Sequence, residues 1–123
     1  MGYRVLAVDD SLLMRKQVER LLKGRDDYEL AGTACNGEEA VAKFKELAPD
    51  VVLLDIVMPK KSGKDALREI LEHDPKARVI MVSSLGTDEA VSECLEVGAL
   101  RFIQKPFTQE LLLQGLRSAV DRS

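Results

Sequence analysis

The 123-residue chain predicts a three-layer α/β sandwich, and three observations carry that expectation. Short apolar, partly β-branched runs alternate five times with segments whose apolar residues recur at helical spacing. Gly, Pro, Asn, Asp or Ser stand at the junctions between them. One run, Val51-Val52-Leu53-Leu54, is apolar at every residue, as a strand buried on both faces must be, and it delivers a single carboxylate, Asp55. Strands that alternate with helices pair in parallel through right-handed crossovers, which puts helices on both faces of one sheet.

Taken in order, Tyr3 to Val8 is the first strand, and Asp9-Asp10-Ser11 breaks it. From Ser11 to Lys23, Met14, Val18, Leu21 and Leu22 form one helical stripe, with Asp10 or Ser11 able to cap the start and Gly24 suited to the end. Tyr28 to Ala34 is the second strand. After the Asn36-Gly37 turn, Ala40, Val41, Phe44 and Leu47 mark a second helix that must stop before Pro49. The third strand runs from Val51 to Asp55, with Ile56-Val57-Met58-Pro59 beyond it. Past Gly63, Ala66, Leu67, Ile70 and Leu71 define a third helix closed by His73-Asp74-Pro75, where His73 reads as a helix-end residue. Arg78 to Ser83 is the fourth strand. Thr87 to Val97 is a helix stopped by Gly98, Leu100 to Gln104 the fifth strand, and Thr108 to Asp121 the last helix, burying Leu111, Leu112, Leu116 and Val120.

Five such units suggest the flavodoxin-like (βα)5 arrangement with parallel sheet order 2-1-3-4-5. Strands one and three are then neighbours, so Asp9, Asp10 and Asp55 converge at the carboxyl end of the sheet, where open α/β folds hold their chemistry.

Length and composition fit one domain over residues 1–123, with 46% apolar and 32% charged residues and a net charge of -3. Basic residues are scattered among acidic ones, which argues against direct nucleic-acid binding. Cys35 and Cys94 lie far apart without a CxxC or metal spacing, as expected of reduced thiols. With no separate signal peptide and no 18-residue apolar run, the expected location is cytoplasmic, without membrane insertion.

Three carboxylates at close quarters repel one another, and a divalent metal relieves that cost. Oxygen ligands from Asp9, Asp10 and Asp55, with waters and the Val57 carbonyl, suit Mg2+, and no His or Cys is near for zinc. Once neutralised, Asp55 can act as nucleophile on a phosphoryl group. Ser83, after strand four, offers a hydroxyl, and Lys105, after strand five, an ammonium; both can contact phosphoryl oxygens. Each residue alone also has an ordinary reading: Asp10 as a helix cap, Ser83 as a turn former, Lys105 as a solvated charge. Their joint position at four strand ends favours the functional one.

The set Asp9-Asp10, Asp55, Met58-Pro59 with Gly63, Ser83 and Lys105-Pro106-Phe107 resembles a two-component response-regulator receiver domain across essentially the whole chain. Val8-Asp9-Asp10-Ser11, Cys35-Asn36-Gly37-Glu38-Glu39-Ala40 and Gly98-Ala99 extend the likeness to single-domain chemotaxis regulators of the CheY type. The resemblance implies that a sensor histidine kinase phosphorylates Asp55, that Asp9 and Asp10 hold magnesium, that Lys105 pairs with the phosphoryl group and that the Lys105-Pro106 bond is cis. It further implies that Ser83 and Phe102 form the switch, altering the face of helix four, strand five and helix five toward an output protein such as the flagellar motor switch, with a monomer or a phosphorylation-dependent dimer as the working form.

Several positions depart from the usual pattern. Ser83 stands for the commoner Thr, Ser84 for a small Ala, and Phe102 has an aromatic ring without a phenol, which equally suits a plain core or edge aromatic. Lys60-Lys61 reads as a solvated pair. Val57 and Leu85 carry no polar group able to orient an attacking water, which predicts slow self-dephosphorylation.

Three alternatives remain. An Asp-nucleophile phosphatase would place a second acid two residues after the first, where Val57 stands, so turnover of external substrates is not expected. A flavodoxin would have Asp9-Asp10 repelling its flavin phosphate. A receiver domain belonging to a multidomain regulator is the nearest alternative.

Overall fold

The computed structural model describes residues 2–121. Ten elements alternate along the chain: β1 (Tyr3–Val8), α1 (Leu12–Leu22), β2 (Tyr28–Ala34), α2 (Gly37–Leu47), β3 (Val51–Leu54), α3 (Gly63–His73), β4 (Val79–Ser83), α4 (Asp88–Val97), β5 (Arg101–Gln104) and α5 (Gln109–Val120). The strands form one parallel sheet in the order β2-β1-β3-β4-β5, the flavodoxin-like order expected.

Alternation of side chains along each strand divides the core into two layers. Val5, Ala7, Val51, Leu53, Ile80, Val82 and Ile103 face the side packed by α1 and α5, where Met14, Val18, Leu112 and Leu116 meet them. Leu6, Val8, Val52, Leu54, Val79 and Met81 face the opposite side and pack on Ala40, Phe44, Leu67, Ile70 and Cys94 of α2, α3 and α4. Central β3 is buried at all four residues. Each such side chain withdrawn from water contributes about 1.5–3 kcal/mol, which sets the register of the strand that ends at Asp55.

Polar caps fix where the helices begin. Ser11, not Asp10, caps α1, accepting from the Met14 N–H; Asn36, Ser62, Thr87 and Thr108 cap the other four in the same way. Ser11, Thr87 and Thr108 therefore lie just outside the helices predicted to include them, and Asp121 is likewise the C-terminal cap of α5. Asp55 lies one residue beyond β3 instead of inside it. Gly24 and Gly98 take the positive φ values of 78° and 132° that end α1 and α4. His73 closes α3 and meets the Phe44 ring edge-on.

The Lys60-Lys61 pair is not uniformly solvated. Lys60 is exposed, but Lys61 is partly buried and forms an ion pair with Glu69 on the following helix. Periodicity concealed this contact, because the loop folds back over α3.

Candidate functional site

Four of the expected strand ends meet at one mouth of the sheet. Oxygens of Asp9, Asp10 and Asp55 lie within 4.8 Å of one another. Asp9 and Asp55 are 3% and 7% exposed, while Asp10 faces solvent. The turn after β1 holds Asp9 by its Oδ1, which accepts from the Ser11 N–H at 2.9 Å, and the Asp55 Oδ1 accepts from the Ile56 N–H at 2.7 Å.

Lys105 reaches in from the end of β5. Its Nζ donates to Asp9 Oδ2 at 2.5 Å and to Asp55 Oδ2 at 3.4 Å, so its tighter partner is Asp9 and not Asp55. Burial pushes the Asp9 carboxyl above its ordinary value and the Asp55 charge pushes the same way, against the lowering pull of Lys105 and the Ser11 N–H. For Lys105, burial alone pulls downward, but the hydrogen bond to Asp9 and the charges of Asp55 and Asp9 outweigh it and leave the ammonium above its ordinary value. The Lys105-Pro106 peptide is cis, as the resemblance implies.

Charge balance defines what the site can take. Among the described residues, three carboxylates face one ammonium within ion-pair distance, which leaves two negative charges without an ion-pair partner in a partly buried pocket. A hard divalent cation with an all-oxygen donor set fits that deficit, and the carboxylate oxygens are close enough to share one.

Ser83 is 1% exposed, and its hydroxyl oxygen accepts from the Leu85 N–H at 3.2 Å. The turn-forming role is therefore real, yet the oxygen retains its own proton to donate. Phe102 is half-buried at the edge of the α2–α4 layer. Val57 and Leu85, two residues beyond Asp55 and Ser83 respectively, present apolar side chains to solvent, 61% and 41% exposed.

Two contacts near the site have no counterpart in the sequence reading. Arg15 Nη1 donates to the Asp9 carbonyl at 2.6 Å. Lys64 Nζ, one residue after Gly63, pairs with Glu93 of α4 at 2.6 Å, holding that helix to α3. A helical-wheel projection could have placed Arg15 one turn inside α1, but not its return to the backbone before the cap.

Two glycines bring the loop after β3 close to its surroundings. A Cβ on Gly63 would lie 1.8 Å from the Asp55 carbonyl oxygen, and one on Gly37 would lie 2.1 Å from the Lys61 carbonyl oxygen. The Gly63 N–H donates to the Ile56 carbonyl at 2.7 Å and closes the loop.

Comparison with known proteins gives a consistent picture. Residues 5–117 match the family model described as response regulator receiver domain. The chain is 45% identical over 116 residues to the chemotaxis protein CheY of Thermotoga maritima, covering 94% of this chain and 96% of that protein. It is 51% identical over 106 residues to the protein-glutamate methylesterase/protein-glutamine glutaminase of Bacillus licheniformis, covering 84% of this chain but 29% of that protein. Among solved structures, a chain of the CheX-CheY-BeF3-Mg complex from Borrelia burgdorferi superposes with a TM-score of 0.89 at 42% identity, over 94% of this chain and 87% of that one.

Proposed function

The chain belongs to the response-regulator receiver family, and from that membership we propose that residues 1–123 form a phosphorylation-activated switch in which Asp55 is the phosphoacceptor. The observation that carries this reading is the charge deficit at the sheet mouth, three carboxylates against one ammonium. A phosphoryl group arriving from the phosphohistidine of a sensor histidine kinase is attacked at phosphorus by an Asp55 carboxylate oxygen. The phosphorus–nitrogen bond breaks, the imidazole nitrogen keeps the bonding pair, and an acyl phosphate remains on Asp55.

Asp9, Asp10, Asp55 and the Val57 carbonyl are the groups that would hold Mg2+. When bound, it offsets negative charge on the carboxylates and on the transferring phosphoryl oxygens. Lys105, already within reach of Asp55, pairs with a phosphoryl oxygen, and the Ser83 hydroxyl donates to another. Movement of Ser83 draws the β4–α4 turn with it, because the same oxygen holds the Leu85 N–H. Phe102 rotates into the space behind, and the α4–β5–α5 face shifts in population toward a partner-binding form. The domain promotes only its own phosphorylation and dephosphorylation.

Likeness to CheY proteins supports a chemotaxis role, with a CheX-like protein or the flagellar motor switch as partner; the cytoplasm is the proposed location. Among the described residues no helix is long and apolar enough to cross a membrane. A second reading, a receiver joined to an output domain, is favoured by the methylesterase likeness, in which the matched segment is 29% of the relative. Protein monomeric before phosphorylation and dimeric after it would fit either reading.

Incubation with a small phosphodonor and Mg2+ tests the proposal. Wild type gains one phosphoryl mass increment, whereas Asp55→Asn and chelator-treated protein gain none. Equal labelling of wild type and Asp55→Asn contradicts the assignment.

A further inference from the structure

Arg15 is the residue near the acids whose role the reading above leaves unexplained. The residue sits one turn into α1, and among the described residues it makes no salt bridge; its guanidinium returns past the cap, with Nη1 donating to the Asp9 carbonyl at 2.6 Å. That carbonyl belongs to the peptide unit joining Asp9 to Asp10, so the bond fixes the plane from which the Asp10 side chain departs.

The two acids depend on this plane to different degrees. The Asp9 carboxylate is held by Lys105 and by the Ser11 N–H. Asp10 is exposed, and among the described residues no side-chain hydrogen bond or ion pair restrains it. Its oxygen nonetheless lies within 4.8 Å of those of Asp9 and Asp55.

We infer that Arg15 is a positioning residue for Asp10, clamping the Asp9–Asp10 peptide so that the exposed carboxylate stays aimed into the acid cluster. The inference rests on the metal-site reading above. It predicts an effect opposite in sign to simple electrostatics: removing a positive charge beside a cation site should tighten cation binding, whereas removing a clamp loosens it.

The experiment is an NMR titration of 15N-labelled full chain with MgCl2, with circular dichroism to confirm folding. Arg15→Ala is expected to weaken Mg2+ binding about tenfold, in the range typical of groups that orient a metal ligand. Arg15→Lys, which keeps the charge, is also expected to weaken it and serves if Arg15→Ala does not fold. In the Asp10→Asn background, loss of Arg15 should change affinity no further. Without metal, the Asp10 amide resonance should move in both Arg15 variants, since it reports the same peptide. Unchanged or tighter Mg2+ binding overturns the inference, as does an equal loss in the Asp10→Asn background or a stationary Asp10 amide. If wild type itself gives no Mg2+-dependent shifts, the metal reading falls, while the Asp10 amide still reports on the clamp separately.

Discussion

The two ends of the sheet handle charge in opposite ways. At the amino end, charged groups meet structural partners: Arg4 donates its backbone N–H to Asp50 Oδ2 at 2.7 Å and its guanidinium to the Leu47 carbonyl at the end of α2, and Arg78 Nη1 donates to the Asp50 carbonyl at 3.4 Å although its buried Nε has no partner among the described residues. At the carboxyl end, Asp9, Asp10 and Asp55 share one lysine. The first arrangement locks a chain crossing, whereas the second stores repulsion that a cation or a phosphoryl group can relieve or rearrange. Acid content alone does not separate them; the supply of partners does.

Substitutions at the two ends should therefore separate stability from phosphorylation. The largest effect is expected of Gly63→Ala, at the carboxyl end beside Asp55. Its Cβ would overlap the Asp55 carbonyl oxygen, so chemical denaturation should show a loss of about 3 kcal/mol or more, with labelling impaired as well. Asp50→Ala removes the acceptor of the Arg4 N–H and should cost about 1–3 kcal/mol while leaving phosphorylation intact. A labelling defect there would break the contrast.

Asp9→Asn should act in the opposite sense on metal-free protein and raise the melting temperature. The sign follows from the raised carboxyl of Asp9: its contribution to stability is full below the ordinary value of 3.8 and is lost as pH rises through the folded-state value. The gap between variant and wild type should open across that window and narrow when Mg2+ is added to wild type. A gap that closes as pH rises would contradict the stored repulsion. Smallest in stability, within about 0.5 kcal/mol, should be polar substitutions at exposed Val57 and Leu85, yet they should shorten the phosphorylated lifetime. Loss of label at the wild-type rate would remove those side chains from the account.

The sequence made the sheet end legible because its information is local. Val51 to Leu54 must be buried on both faces, the apolar stripes repeat at helical spacing, and strand order then brings Asp9 and Asp55 together without further assumptions. Cap positions were legible to within a residue, since Asp10 and Ser11 have similar chemistry and only the turn geometry chooses Ser11. Contacts carried by long flexible side chains were not legible. Lys61 to Glu69, Lys64 to Glu93, Arg15 to the Asp9 carbonyl and the tighter pairing of Lys105 with Asp9 depend on where loops return, which no periodicity encodes. The last two of those contacts determine how the acids are held, whereas the apolar pattern determines only that they meet.

The central claim is that Asp55, and neither of its neighbouring acids, carries the phosphoryl group. Borohydride reduces an acyl phosphate to the alcohol, turning a phosphorylated aspartate into homoserine, so peptide mass mapping of phosphorylated and reduced protein locates the modified carboxylate directly. The account predicts homoserine at position 55 alone, dependent on Mg2+ during phosphorylation. Homoserine at position 9 or 10, or an unmodified peptide at 55 in protein that carries the phosphoryl mass, would contradict it.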